Sequence, residues 1–509
     1  MFVGTLGAPR LRLVLLTQAV RYAALSYCWG DGNLQQEAFV LTGPVYQGRL
    51  AADMDFALLP KTLQDACSAA RFLGVEYLWI DSLCILQDSL ADWEVESSRM
   101  SDIYSNAYLT LAAASAPDVS VGMGLTRPTY AVEEMGLEAF EPKPARGTLL
   151  LVSPQPEKVS RVRSVHGPLF NRGWTLQEQL LSRRVLFFTD KFLYAECRES
   201  SRGESLFFSG FDPTSKIMRF RPRSSPDVAS VLATADGDSI FDTWYHIVAI
   251  QYCRRKLTKQ EDRLPAISGL ARELTRLGDA NYLAGLWDAD ITIGLLWRCH
   301  DNAAAKRSVE YRGPSWSWVS LDSKLPFYWR HDHRRGHGDE MTIIEAYTSP
   351  SGKDPTGRVD GGRLVVEGKM VDAVQVHTHR MHDRNGATVT PGREVGRSGW
   401  NYRLTVIDGD VDRGVCDCIG LFALVVRGPV VNEEVEMDEY RGLLLRKVGT
   451  TADAAVQNRL GKRPLDAQLL GPQGVLDVFE RVGYWQLLHH DVESCDLTFS
   501  VAPQRVVLI

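Results

Sequence analysis

The side chains best suited to chemistry in this sequence stand mostly alone. Cys28 lies between Tyr27 and Trp29, and Cys84 lies inside IDSLCI. A thiol nucleophile needs an adjacent base, and no local motif pairs either cysteine with one, so neither is read as catalytic. Cys416 and Cys418, the group His331, His333 and His337, and the pair His377 and His379 are of metal-ligand type but lack a matching second pair. Structural zinc takes four ligands at defined spacing, so no metal is expected. Asp81, at the end of a strand-like run, could orient a ligand or cap the turn that follows. The run Thr175-Leu176-Gln177-Glu178 has the spacing of a capping box, in which the glutamate reaches back to the first backbone N–H and only starts a helix. Trp29 and Trp174 suit packing, and Trp316 and Trp318 alternate with serines as packed strand residues do.

The elements that must position these groups alternate in type over the first third. Residues 23–27 are a short apolar strand ending in the turn Gly30-Asp31-Gly32-Asn33. Pro60 and Thr62 open a helix with Leu63, Ala66, Ala70 and Leu73 on one face, Asp65 three residues after Thr62, and Gly74 as its stop. A strand follows at 77–81. Ser89 with Asp92 caps a helix whose Trp93, Ser97, Met100 and Tyr104 form one stripe, before a strand at 108–111. Residues 117–160, rich in Pro, Gly and Glu, read as an insertion, after which come a helix at 175–182 and a strand at 185–188. This rhythm predicts a parallel sheet with flanking helices.

Beyond it, residues 239–299 read as mostly helical, with Ile240, Trp244, Ile247 and Val248 on one face. After Asp322 the sequence turns strand-rich, at 363–367, 420–426 and 506–509, as in an antiparallel region; 330–338 and 352–362 read as exposed loops. The expected division is 20–190, 191–322 and 323–509.

The chain has 509 residues, 45% hydrophobic and 24% charged, enough to bury a large core in more than one folding unit. A net charge of -6 disfavours nucleic acid and anionic membranes as partners. Nine cysteines without dense, even spacing point to a reducing compartment, and the expectation is cytoplasmic. The apolar run at 11–20 is bracketed by Arg10, Arg12 and Arg21 and leads into a strand, so it is not read as a signal peptide. No stretch reaches the roughly 20 apolar residues of a membrane span.

Three segments together resemble the fungal heterokaryon-incompatibility (HET) domain: YAALSYCWG at 22–30, WIDSLCILQD at 79–88 and FNRGWTLQEQLLSRRVLFF at 170–188, with DWEVESSRMSDIYSNAYLTLAAAS between the last two. The resemblance covers about a third of the chain; the segment before Tyr22 is shorter than the family's usual one, which leaves the natural start open. No G-x-x-x-x-G-K-[ST] loop is present. The resemblance implies an effector of non-self recognition and programmed cell death.

The HET pattern is in turn similar to TIR domains, a flavodoxin-like doubly wound α/β class whose enzymatic members cleave NAD at the nicotinamide–ribose bond. That similarity implies Glu178 as the catalytic carboxylate, facing an open cleft, with Ser26, Trp29, Gly30, Asp31, Asp81 and Trp174 around the substrate. NAD enters as substrate, with no resident cofactor. One carboxylate can suffice, because nicotinamide leaves as a neutral amine and needs no general acid; the carboxylate steadies an oxocarbenium-like transition state. An indole such as Trp29 or Trp174 could stack on the cationic ring. The similarity further implies self-association through this domain. A non-enzymatic adaptor that triggers death by recruiting signalling partners is the alternative, and the spacing of Thr175 and Glu178 fits both.

Overall fold

The computed structural model describes residues 1–30, 39–124, 167–190, 193–197, 201–203, 237–299, 306–322, 327–328, 341–372, 381–382, 388–389, 401–406, 421–427, 438–470, 474–489 and 502–509. Two compact units divide the chain: Met1–Trp93 with Ile103–Asp227, and Glu94–Asp102 with Val228–Ile509.

The first unit is built on eight strands: β1 (Phe2–Gly4), β2 (Pro9–Arg12), β3 (Tyr22–Ser26), β4 (Tyr77–Trp79), β5 (Leu109–Ala113), β6 (Arg184–Phe188), β7 (Leu193–Cys197) and β8 (Ser201–Gly203). Across the sheet they run β2-β1-β4-β3-β5-β6-β7-β8. The centre, β4-β3-β5-β6, is parallel, with Ser26 beside Ala112 and Ala113 beside Phe188. Both flanks are antiparallel, which corrects the all-parallel expectation. The cause is that the edge strands are short and carry mixed side chains, while the central ones are covered on both faces and read as near-continuous apolar runs.

The helices are α1 (Gly43–Ala51), α2 (Lys61–Phe72), α3 (Asp81–Cys84), α4 (Leu90–Asn106) and α5 (Thr175–Leu181). Leu63, Ala66 and Ala70 of α2 bury against Ala23, Leu25, Leu78 and Leu111 of the sheet. Gly74 ends this helix region at φ +67°, a conformation open to glycine. The expected Thr62–Asp65 capping box is not formed. Pro60 holds the cap position, the Thr62 hydroxyl donates to Asp118 O at 3.3 Å, and Asp65 accepts from Met123 N at 2.8 Å, so both side chains hold the 118–123 segment instead. The cap on α4 is as expected: Ser89 Oγ accepts from Asp92 N at 3.3 Å, and the Asp92 carboxylate accepts from Leu86 N at 2.8 Å. Ser89→Ala is expected to destabilise the first unit by about 1 kcal/mol in urea unfolding, whereas Ser89→Asp keeps an acceptor there and should cost little. Of the expected insertion at 117–160, residues 125–160 lie outside the described residues.

In the second unit, α6 (Gly237–His246) runs on through a π-helical turn at Ile247–Tyr252, and α7 (Pro265–Gly278) follows, so this region is helical as expected. Its core is rich in tryptophan: Trp244, Trp287, Trp297, Trp316 and Trp318 are fully buried. Trp244 donates to Gly285 O at 2.8 Å and meets Tyr282 and Trp287 edge to face. Trp316 and Trp318 do not alternate as strand residues. Both are fully buried, Trp318 at the start of a 3-10 turn at Trp318–Ser320 and Trp316 in the turn before it; Trp318 donates to Gly285 O and Trp316 O accepts from Trp297.

The β-rich region forms a second large sheet in the order Met341–Pro350, Val359–Gly368, Gln504–Leu508, Asp477–His489, Asp438–Thr450, Leu421–Arg427, Met370–Asp372, with Asn401–Val406 also pairing to Asp477–His489. Its pairs are antiparallel except that between Asp477–His489 and Gln504–Leu508. Gly361 and Gly362 belong to a strand here, not to the expected loop; added side chains would collide with Arg459 O and Pro314, so small size rather than flexibility selects glycine there. The loop expected at 330–338 lies outside the described residues.

Candidate active site

The strand ends of the parallel centre bring most of the expected site residues together. Helix α5 packs against β3, and Thr175, Leu176, Gln177, Glu178 and Gln179 are all buried. The cap of α5 is Trp174, with no side-chain cap bond. The Thr175 hydroxyl donates backwards, to Leu169 O at 2.7 Å and Arg172 O at 3.0 Å. The capping-box reading of Thr175 is thereby replaced. Glu178 turns its carboxylate towards Ser26, Asp81, Tyr104 and Arg172.

Glu178 is 6% exposed, so it does not face the open cleft that was expected. The reason is local: a seven-residue helix seated flat on the sheet buries its whole first turn. Burial pushes the Glu178 carboxyl up to about 7, and the Asp81 charge adds to the shift. The Ser26 hydroxyl, the Arg172 guanidinium and the Tyr104 hydroxyl act in the opposite sense. Ser26 Oγ is fully buried and makes no hydrogen bond of strict geometry, so it approaches the carboxylate without aligning to it.

Asp81 follows β4 and opens α3. Its Oδ2 accepts from Trp29 Nε1 at 3.0 Å and its Oδ1 from Ser82 N at 2.7 Å, so it both caps the turn and fixes the indole. Burial raises its pKa too, against the opposing pull of Tyr27, Arg172 and Trp29. The Tyr27 hydroxyl donates to Ser82 Oγ at 2.9 Å.

Trp29 also packs edge-on to Phe39, and Trp174 packs edge-on to Trp93 with centroids 6.3 Å apart. Gly30, at φ +94°, is pressed against Asp118, whose Cβ would lie 2.7 Å from an added Cβ. Asp31 lies outside the described residues. Cys28 is buried and its thiol is pushed up to about 11, mainly by desolvation, so it stays protonated at neutral pH and is no nucleophile.

Two members were missed in the sequence. Arg172 exerts its positive charge on Glu178, Asp81, Tyr27 and Cys28, and Tyr104 donates to Leu25 O at 2.9 Å while facing Glu178. Arg172 lies inside the FNRGWTLQEQ run and Tyr104 on the α4 stripe, but their convergence is long-range. Tyr104→Phe should cost about 1 kcal/mol, because Leu25 O loses a buried donor, and should raise the Glu178 pKa further, as carboxyl 13C chemical shifts would read.

Among the described residues no cluster of three or more His, Cys, Asp or Glu is placed to hold a metal. The residues 329–340, 373–380 and 407–420, which carry the His and Cys groups noted in the sequence, lie outside the described residues. No helix of the described residues is long and apolar enough to cross a membrane.

Fold and site define a mixed α/β domain with a buried glutamate and a partly buried aspartate at the C-terminal ends of its parallel strands. Residues 22–178 match the family model described as Heterokaryon incompatibility protein (HET), which supports a heterokaryon-incompatibility domain in that segment and points to a role of that kind. No curated protein and no solved structure matches the chain.

Proposed function

We propose that the HET segment is a death-signalling module of non-self recognition that cleaves NAD at the nicotinamide–ribose bond, with Glu178 as the catalytic carboxylate. The observation that carries this reading is the position of Glu178: a buried acid with its pKa near neutrality, coupled to a second carboxylate and an arginine at the strand ends. Two further points support it. Counted along the chain, the four parallel strands lie in the order second, first, third, fourth, the order of a flavodoxin-like doubly wound sheet, and ligands of such sheets bind where the order reverses, here between β3 and β5. The Trp29 indole is held beside this point by Asp81.

In the proposed reaction the C1′–N bond breaks, nicotinamide leaves neutral with the bonding pair, and water captures the ribosyl cation and releases one proton. The products are nicotinamide, ADP-ribose and H⁺. Glu178 stabilises the cation as it forms. At 6% exposure Glu178 needs a rearrangement around α5 to admit substrate, and self-association of HET domains is the proposed trigger.

The burial itself favours a second reading, a non-enzymatic adaptor in which the acid network only braces the fold. Incubating the full chain with NAD, with and without forced clustering through a fused dimeriser, separates the two: free nicotinamide supports catalysis, and its absence under clustering supports the adaptor.

A further inference from the structure

We infer that the second unit holds a binding site for a small phosphate ester of nucleotide size, independent of the Glu178 centre. A cleft of about 770 Å³ opens there, within the range of small-molecule sites, and Arg307, Ser308, Tyr311, Arg312, Arg358 and Arg459 line it. Guanidinium groups clustered around one cleft suit phosphate, because each presents a planar fork of donors.

These forks are held by neighbouring acids and by a backbone carbonyl. Arg312 is paired with Asp322, Arg358 donates to Glu261 at 3.0 Å and Asp262 at 2.6 Å, Arg459 meets Glu480 at 3.4 Å, and Arg307 donates to Arg481 O. Little rotamer freedom is left to lose when an anion arrives. The Arg312 side chain is only 8% exposed, and its Nε has no hydrogen-bond acceptor; the buried Ser308 Oγ has none either. A buried donor without an acceptor is costly, but both atoms have almost no accessible surface, so ligand oxygens would meet the remaining guanidinium N–H groups of the lining arginines first.

The cleft also carries acids. Glu261 and Asp360 are already engaged, by Arg358 and Lys462, and Glu310 is exposed. Recognition therefore rests on directed donors rather than on a large positive field. The Tyr311 hydroxyl is sunk towards Arg459 and Asp360 while part of its side chain stays exposed, leaving a ring face on which a heterocycle can stack.

Calorimetric titration of the full chain with ADP, inorganic pyrophosphate and citrate tests the site. Saturable binding of ADP is expected, weakened at least about tenfold by Arg312→Lys, which keeps the charge and removes the fork, and by Arg459→Gln at a half-exposed position that should fold normally. Tyr311→Ala should weaken ADP and leave pyrophosphate unchanged. Pyrophosphate bound as tightly as ADP, with no effect of Tyr311→Ala, keeps the phosphate site and assigns it to an inorganic source. Absence of saturation by ADP and pyrophosphate at millimolar concentration, equal affinity in the Arg459→Gln variant, or citrate binding as tightly as ADP overturns the inference.

Discussion

Glu178→Gln is expected to give a folded protein that is more stable than the wild type above pH 7 and has lost NAD cleavage by about a hundredfold to a thousandfold. The two effects have one origin. The carboxyl titrates near 7 in the folded chain against 4.5 for an ordinary glutamate, so between those values the native state holds a proton that the unfolded chain has released. Stability therefore falls as pH rises from about 4.5 to about 7, and the deficit above 7 is about 3 kcal/mol. Glutamine carries the same shape without the charge, so the deficit disappears: the variants should coincide below pH 4.5 and diverge through the window. Thermal unfolding of both proteins from pH 4 to pH 8 reads this directly. Parallel curves across the whole range would mean that Glu178 is an ordinary, solvated acid.

Arg363→Ala is expected to cost the second unit about 3 kcal/mol, because it breaks a largely buried pair and leaves Glu345 with only the exposed Arg463 at 3.8 Å. Arg363 is fully buried on Val359–Gly368, with Nε 2.8 Å from Glu345 Oε2 and Nη2 2.9 Å from Oε1, a bidentate pair. The remaining donors go to the carbonyls of Leu460, Arg463 and Pro464, and the guanidinium lies over the Tyr347 ring at 4.9 Å. One side chain thus ties two strands of the C-terminal sheet to the 460–464 segment. The double variant Arg363→Met with Glu345→Leu should recover much of the loss, since replacing both ions with apolar groups removes the poorly paired carboxylate, while the exposed Arg463 returns to solvent. Denaturant unfolding that shows less than 1 kcal/mol for Arg363→Ala would refute this account of the sheet.

What was legible in the sequence is what short-range physics encodes. The apolar run of β3, the Ser89–Asp92 cap, the helix at Thr175–Leu181 and the Gly74 stop each rest on a few neighbouring residues. Elements whose identity depends on distant partners were not legible. Phe2–Gly4 and Pro9–Arg12 are strands because they complete the edge beside β4, and Leu193–Cys197 because it pairs with β6. The same division holds at the site. Thr175 and Glu178 have the spacing of a capping box, but spacing states only which bonds are possible; the carbonyls of Leu169 and Arg172 take the hydroxyl, and Ser26, Asp81 and Tyr104 surround the carboxylate. Arg172 sat within a motif already singled out, yet its role is electrostatic and appears only when four segments converge.

The pH dependence of nicotinamide release by the clustered full chain tests the central claim most directly. An ionised Glu178 predicts a rate that is low at pH 5 and rises through a single limb near pH 7, a limb that moves upward in Tyr104→Phe and vanishes with activity in Glu178→Gln. Release at equal rates from the wild type and Glu178→Gln, or a profile flat from pH 5 to pH 8, would contradict it.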